Sequence, residues 1–378
     1  MEDALGPRGH YWPRMINVAS YSPYTRLREH LAAVPRVWLV TGAAGFIGSH
    51  LVHELLTLNQ VVVGLDDFST GHQRNLDDVF RGRPEAENRF RLIEGDIRDL
   101  ASCREACAGV DFVLHQAALA SVPRSIHDPM TTHAVNVEGF LNVLTAARDA
   151  GVRRVVYASS SAVYGDITDS PNVEDRVGRV LSPYAASKAS DELFAVAFQR
   201  AYGLETVGLR YFNVFGPRQD PSGAYAAVIP RWIAALLADE PCAVYGDGQA
   251  SRDFIPVANA VQANLLAAAW APAQATGEVY NIAGGRETSL NELFRMIRLG
   301  LAGYQPHVAT SRPTYTAPRA GDIQRSVANI TKARRALGYE PGQSVEQGLG
   351  LAIEWYVTGD VAGTPVGSGA VPSSFSTR

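Results

Sequence analysis

Arg36-Val37-Trp38-Leu39-Val40-Thr41-Gly42-Ala43-Ala44-Gly45-Phe46-Ile47-Gly48 is a run of bulky, mostly apolar residues that gives way to glycines. Val37 to Thr41 suit a strand buried on both faces. Gly42, Gly45 and Gly48 then fall three apart, and from Phe46 to Leu58 the apolar residues recur at helical spacing. A strand that breaks on glycines into a helix offers an anion free backbone N–H groups and the positive end of a dipole. In such a turn Gly42 permits the tight bend, Gly45 admits a pyrophosphate and Gly48 lets helix lie against strand. The stretch predicts a dinucleotide site.

A glycine triplet alone is a weak signal, and its spacing differs by one residue from the commonest form. Its surroundings strengthen it. A second apolar strand, Val61 to Leu65, ends in Asp66, about 20 residues beyond the glycines, where a ribose 2′-hydroxyl needs an acceptor. Asp67 follows, and a second carboxylate repels a 2′-phosphate. The pair favours NAD over NADP.

The 378 residues suffice for a sizeable core and two lobes. A formal charge of −4 leaves no electrostatic footprint for nucleic acid. No apolar run approaches the ~20 residues of a membrane span, and Met1 to Ser20 lacks the apolar centre of a secretory signal. Cys103, Cys107 and Cys242 are too few and too oddly spaced for a disulfide framework or a zinc site, so no metal is expected. These features fit a soluble cytoplasmic protein. Of 34 basic residues only Lys188 and Lys332 are lysine, so a lysine here marks a place where a compact ammonium is wanted.

Strand and helix periods alternate along the chain, the pattern of a parallel sheet covered on both faces. Further strands are expected at Phe90 to Ile93, Asp111 to His115, Arg154 to Ala158 and Thr206 to Tyr211, with helices over Thr132 to Ala150 and Tyr184 to Tyr202. From Phe215 onward Gly- and Pro-rich loops separate shorter elements, and Glu278 to Ile282 reads as a strand that rejoins the sheet. The expected class is α/β: a Rossmann-type, doubly wound parallel sheet with a smaller, interleaved C-terminal substrate lobe. The expected divisions are an extension over 1–33 with a short helix from Tyr24 to Ala33, a nucleotide domain over 34–214, a mainly substrate-binding lobe over 215–358 and a flexible tail over 359–378. Ligands of such sheets lie beyond the carboxyl ends of the strands, so the residues ending the strands should converge on one crevice.

The fifth strand runs into Ser159-Ser160-Ser161, and Tyr184 precedes Lys188 by four residues, which places the two on one helical face. Tyrosine is a poor base at its usual pKa of about 10. A neighbouring ammonium and the positive nicotinamide favour the phenolate and bring it toward working pH. Ser160 would share a hydrogen bond with the same substrate hydroxyl. The plainer alternative packs Tyr184 against its helix and leaves Lys188 in solvent, which the scarcity of lysine argues against.

Thr41-Gly42-Ala43-Ala44-Gly45-Phe46-Ile47-Gly48, the serine run and Tyr184-Ala185-Ala186-Ser187-Lys188 resemble the extended short-chain dehydrogenase/reductase family. His115-Gln116-Ala117-Ala118, Arg210 to Gly216 and Ser251-Arg252-Asp253-Phe254 resemble its nucleotide-sugar enzymes; Arg218-Gln219-Asp220-Pro221 and Gly223 to Pro230 resemble the UDP-N-acetylglucosamine 4-epimerase branch. The likeness runs from about residue 24 to 357. It implies an enzyme that interconverts UDP-N-acetylglucosamine and UDP-N-acetylgalactosamine, with Tyr184, Lys188 and Ser160 catalytic. The helices Thr132 to Ala150 and Tyr184 to Tyr202, which carry Leu141, Leu144, Phe194 and Phe198, are expected to pair across a homodimer. The likeness also implies that Phe46, Ile47, Asp96, Ile97, Ala117, Ala118 and Asn136 join the glycines and Asp66 around NAD. Asn213, Arg252, Arg319 and Asp322 would hold the UDP moiety, while Ala120, Ser121, Ser161, Gln219, Ala227, Val228 and Ser326 would border the sugar. Ser326 falls where epimerases limited to glucose and galactose carry tyrosine, leaving room for a 2-acetamido group. Ala120 stands where the branch usually has glycine, and Ala189 where it has an aromatic residue.

Three other readings stand beside this one. A 4,6-dehydratase needs an acid pair just after the strand-five hydroxyl, where this chain has Ser161-Ala162. A UDP-N-acetylglucosaminuronate or UDP-glucuronate epimerase or decarboxylase would differ in the charge around C6. A non-catalytic NAD sensor could dispense with Tyr184 and Lys188, and this chain has both.

Overall fold

The computed structural model describes residues 22–222, 226–318 and 324–359. Its centre is a seven-stranded, all-parallel sheet of β1 (Val37–Thr41), β2 (Val61–Asp66), β3 (Phe90–Glu94), β4 (Phe112–His115), β5 (Arg154–Ser160), β6 (Glu205–Tyr211) and β7 (Glu278–Ile282). The spatial order is β3-β2-β1-β4-β5-β6-β7, so the winding reverses between β1 and β4. This is a Rossmann-type fold, and the reversal opens the crevice in which such sheets hold ligands. The central strands are rich in Val and Leu because helices cover both faces: Leu39, Val40, Val113, Leu114, Val155 and Val156 are wholly buried.

Two apolar cores flank the sheet. One gathers Trp38, Leu51, Leu55, Val207 and Leu265; the other gathers Leu39, Phe140, Val143, Leu144 and Tyr157. The first core also takes Leu27 and Leu31 from the Pro23–Ala33 helix. That helix is therefore built into the fold, where the sequence suggested a short helix on an extension, because its Leu pair at i, i+4 has an apolar face to join.

The smaller lobe has its own core of Trp232, Ile233, Phe254, Phe294, Ile297, Leu349 and Ile353, contributed mainly by the helices Val228–Leu237, Leu290–Ala302 and Val345–Thr358. Very short strands knit its loops: Ser251–Arg252 lies between Thr288–Ser289 and Arg325–Ser326. The chain crosses between lobes more than once, since β7 pairs with β6 along its whole length. Arg154, at the start of β5, pairs with Glu205 at 2.7 Å and donates to the carbonyls of Ala267 and Ala271, tying the returning segment to the sheet. Among the described residues no helix is long and apolar enough to cross a membrane.

Candidate active site

The ends of β1, β2, β4, β5 and β6 open on one cleft of about 500 Å³. Its floor is the glycine turn. Gly42 has φ of 69°, a left-handed conformation that residues with a Cβ rarely hold. A Cβ on Gly48 would lie 1.8 Å from the Gly42 carbonyl oxygen, so turn and helix can approach this closely only as glycines. Gly45 caps the Phe46–Thr57 helix without a side-chain hydrogen bond, which leaves the first-turn N–H groups open at the cleft. A bare helix N-terminus beside a glycine cradle suits the pyrophosphate of a dinucleotide.

Asp66, ending β2, lines the same cleft and is 7% exposed. Its carboxylate accepts from Ala44 N at 2.8 Å and from Phe68 N at 2.9 Å, which aligns it beside the glycine turn. Burial raises its pKa, and those N–H groups pull the other way. At the end of β4, Ala117 N donates to Thr41 Oγ1 at 3.2 Å, so the Ala117-Ala118 backbone is pinned across the mouth of β1.

The opposite wall carries the polar groups suited to chemistry. Ser182 caps the Pro183–Tyr202 helix by accepting from Ala185 N at 3.1 Å, and Pro183 occupies the first turn. The cap places Tyr184 and Lys188 on the cleft together with Ser160 and Ser161. Ser160 Oγ accepts from Ala162 N at 3.1 Å, which fixes the turn after β5. Tyr184 N donates to Ser125 Oγ at 3.0 Å, and Tyr184 is 9% exposed.

Asn136 does not reach the cleft lining. It is wholly buried in a π-helical turn, Ala134–Glu138, where it accepts from Leu119 N at 2.8 Å and donates to Ser187 Oγ at 2.9 Å. Its place is a brace between the loop after β4 and the Tyr184 helix. The helix anticipated over Thr132 to Ala150 is accordingly three pieces: Pro129–His133, the π turn and Gly139–Asp149.

Gly42, Gly45, Phe46, Ile47, Gly48, Ile97, Ala117, Ala118, Ala120, Asn213 and Gln219 also lie on the cleft. Asp96 does not; its carboxylate is held low chiefly by the hydrogen bond from Arg98. Ser121 is instead the cap of the Val122–His127 helix, and Ala227 and Val228 begin the Val228–Leu237 helix. Arg252 and Ser326 face each other across the short sheet of the smaller lobe. That sheet is linked to the cleft through Asp253: Asn213 Nδ2 donates to its carbonyl at 3.0 Å, and its own N–H donates to Ser326 O at 2.8 Å. Burial pushes the Asp253 carboxyl up to about 6, while N–H groups of Gly284 and Gly285 counter it. Arg319 and Asp322 lie outside the described residues.

The cleft has walls that sequence reasoning missed. Ser69, Thr70 and Gly71 follow Asp66 and Asp67, and a Cβ on Gly71 would meet Asp66 Oδ1 at 2.8 Å. Tyr211, ending β6, shares a buried network with Gln116 and Asn264. A glycine shortly after an acid pair was the available signal for the first; position at a strand end was the signal for the second.

The profile of the NAD dependent epimerase/dehydratase family matches residues 38–283. The chain belongs to that family. Over 325 residues it is 38% identical to a UDP-glucose 4-epimerase of Mycolicibacterium smegmatis, covering 84% of this chain and 97% of that one. A UDP-N-acetylglucosamine 4-epimerase from Methanobrevibacter ruminantium, solved with UDP-N-acetylmuramic acid, superposes with a TM-score of 0.77 at 37% identity and covers 85% of this chain and 98% of its own. A Thermus thermophilus UDP-glucose 4-epimerase solved with NAD gives a TM-score of 0.72 at 33% identity, covering 85% and 99%. This epimerase/dehydratase family member is an NAD-dependent nucleotide-sugar 4-epimerase, an isomerase.

Proposed function

We propose that the enzyme interconverts UDP-N-acetylglucosamine and UDP-N-acetylgalactosamine. The observation that carries this reading is the Tyr184–Lys188 turn on the cleft of the glycine loop, together with the serines ending β5. The glycine turn and Asp66 would hold NAD, which would supply the hydride acceptor and donor. Tyr184 takes the proton of the sugar 4-hydroxyl and later returns it to the 4-keto oxygen. The Lys188 ammonium favours the phenolate that this requires. Ser160 hydrogen-bonds the same sugar oxygen and holds it at Tyr184. Asn213, just after β6, and Arg252, in the smaller lobe, would hold the nucleotide, Arg252 with the planar fork suited to phosphates; Arg319 and Asp322 join them by the resemblance alone. Inversion at C4 then requires the sugar to turn about its diphosphate link while that grip persists.

By the resemblance, Ser326 would leave space for an acetamido group at C2, with Ser161, Gln219 and Ala227 on the same pocket wall, while Ala120 adds a methyl where the branch usually has glycine. The resemblance to the Methanobrevibacter enzyme supports that choice. The purified protein should convert UDP-N-acetylglucosamine without added NAD, read by chromatography of the UDP-sugars. Turnover confined to plain or uronic UDP-hexoses would overturn the substrate assignment. We also propose a homodimer formed through the helices Val122–His127, Pro129–His133 and Pro183–Tyr202, which pack together and leave Ile126, Met130 and Leu193 64%, 76% and 74% exposed; Leu144, expected from the sequence to pair there, is instead wholly buried in the core beside the sheet.

A further inference from the structure

Lys188 and Asp191 form an ion pair at 3.1 Å, with both side chains almost wholly out of water at 2% and 1% exposure. Asp191 follows Lys188 by three residues, so it reaches the ammonium from the C-terminal side of the helix, whereas Tyr184 lies one turn toward the N-terminus. Only Oδ2 of the carboxylate is engaged; Oδ1 is buried with no partner among the described residues.

The surrounding charges are otherwise accounted for. Glu192 accepts from Ser159 Oγ at 2.6 Å and from Arg210 Nε and Nη2, both at 2.8 Å. His115 binds Thr41 Oγ1 through Nδ1, and burial reinforced by Lys188 lowers its pKa to about 3, so it is uncharged. The Tyr157 phenol is kept protonated by burial and by Glu192 and Asp191. Among the described residues, Asp191 is the acid that pairs with Lys188. Burial pushes its pKa up to about 6, against the pull of Lys188. A half-satisfied buried carboxylate is an expensive way to fill space that a small neutral residue would fill without cost.

We infer that Asp191 is a positioning residue for the base: it fixes the Lys188 ammonium and offsets the electrostatic support that this ammonium gives the Tyr184 phenolate. Proton abstraction in this chain then sets in at higher pH than it would with an unopposed lysine. The inference rests on the roles proposed above for Tyr184 and Lys188.

The test is the pH profile of kcat/KM, measured with UDP-N-acetylglucosamine and UDP-glucose on enzyme carrying its own NAD. Asp191→Asn should move the acid limb down by about one pH unit, while Asp191→Glu keeps it near the wild-type position. A limb that stays in place or moves up, including a loss of rate equal at every pH, overturns the inference. Should Asp191→Asn not fold, Asp191→Ser read by tyrosinate absorbance against Tyr184→Phe reports the same shift. Tyr184→Phe also separates the two claims. Turnover retained by that variant refutes the base assignment itself; an inactive Tyr184→Phe with an unmoved Asp191→Asn limb refutes only the role of Asp191.

Discussion

Ser326 stands two hydrogen bonds from the cleft wall, through Asp253 to Asn213. Its side chain is half-buried, and on the proposed reading a tyrosine there would occupy the place of the 2-acetamido group. Ser326→Tyr should therefore cut kcat/KM on acetylated UDP-hexoses by about tenfold or more relative to plain ones, the scale on which a pocket discriminates by size. Competition between UDP-N-acetylglucosamine and UDP-glucose measures the ratio, and an equal loss on both would remove Ser326 as a gatekeeper. At this scale the sequence was legible where a residue type answers a local backbone demand. Gly48 must be glycine because of the Gly42 carbonyl a few residues away, and that requirement is written in the spacing. Asp191 was not legible. A Lys and an Asp at i, i+3 on a helix read as an ordinary surface pair, and only the packing of neighbouring elements shows that both are buried.

At Gly48 the Phe46–Thr57 helix meets the turn after β1 through backbone atoms, with no side chain to give way. Gly48→Ala should force helix and turn apart, costing about 1–3 kcal/mol of stability as overpacking does, and should yield protein stripped of NAD. Thermal melting and the nucleotide released on denaturation check both effects; full NAD content would contradict the cradle. The long sheet strands were readable because their apolar runs persist for several residues. The short strands of the smaller lobe, such as Ser251–Arg252 and Arg325–Ser326, carry no periodicity at that length. The π turn at Ala134–Glu138 was hidden for a related reason. One extra residue in a turn barely disturbs a helical hydrophobic pattern, and the Asn136 within it is held by partners distant in the chain, Leu119 and Ser187.

Across the whole molecule, the exposed Leu193 lies on the helix that begins at the Ser182 cap and carries Tyr184, and Met130 lies on a helix packed against it, so a pairing through this face would share its scaffold with the active site. Replacing both by Glu should give a monomer by sedimentation velocity if those helices pair between copies, and an unchanged sedimentation coefficient would place the interface elsewhere. The alternation of elements made the sheet legible at this scale, but the docking of Pro23–Ala33 into the first core depended on a partner surface assembled from far along the chain. The return of β7 to the sheet also has a bearing on biosynthesis. A nascent chain that has left the ribosome only as far as residue 214 holds six strands, with the flank of β6 bare where Glu278–Ile282 will pair. The cofactor domain therefore cannot mature ahead of the lobe that follows it, and until that late segment emerges the open strand is a site for chaperone capture or aggregation.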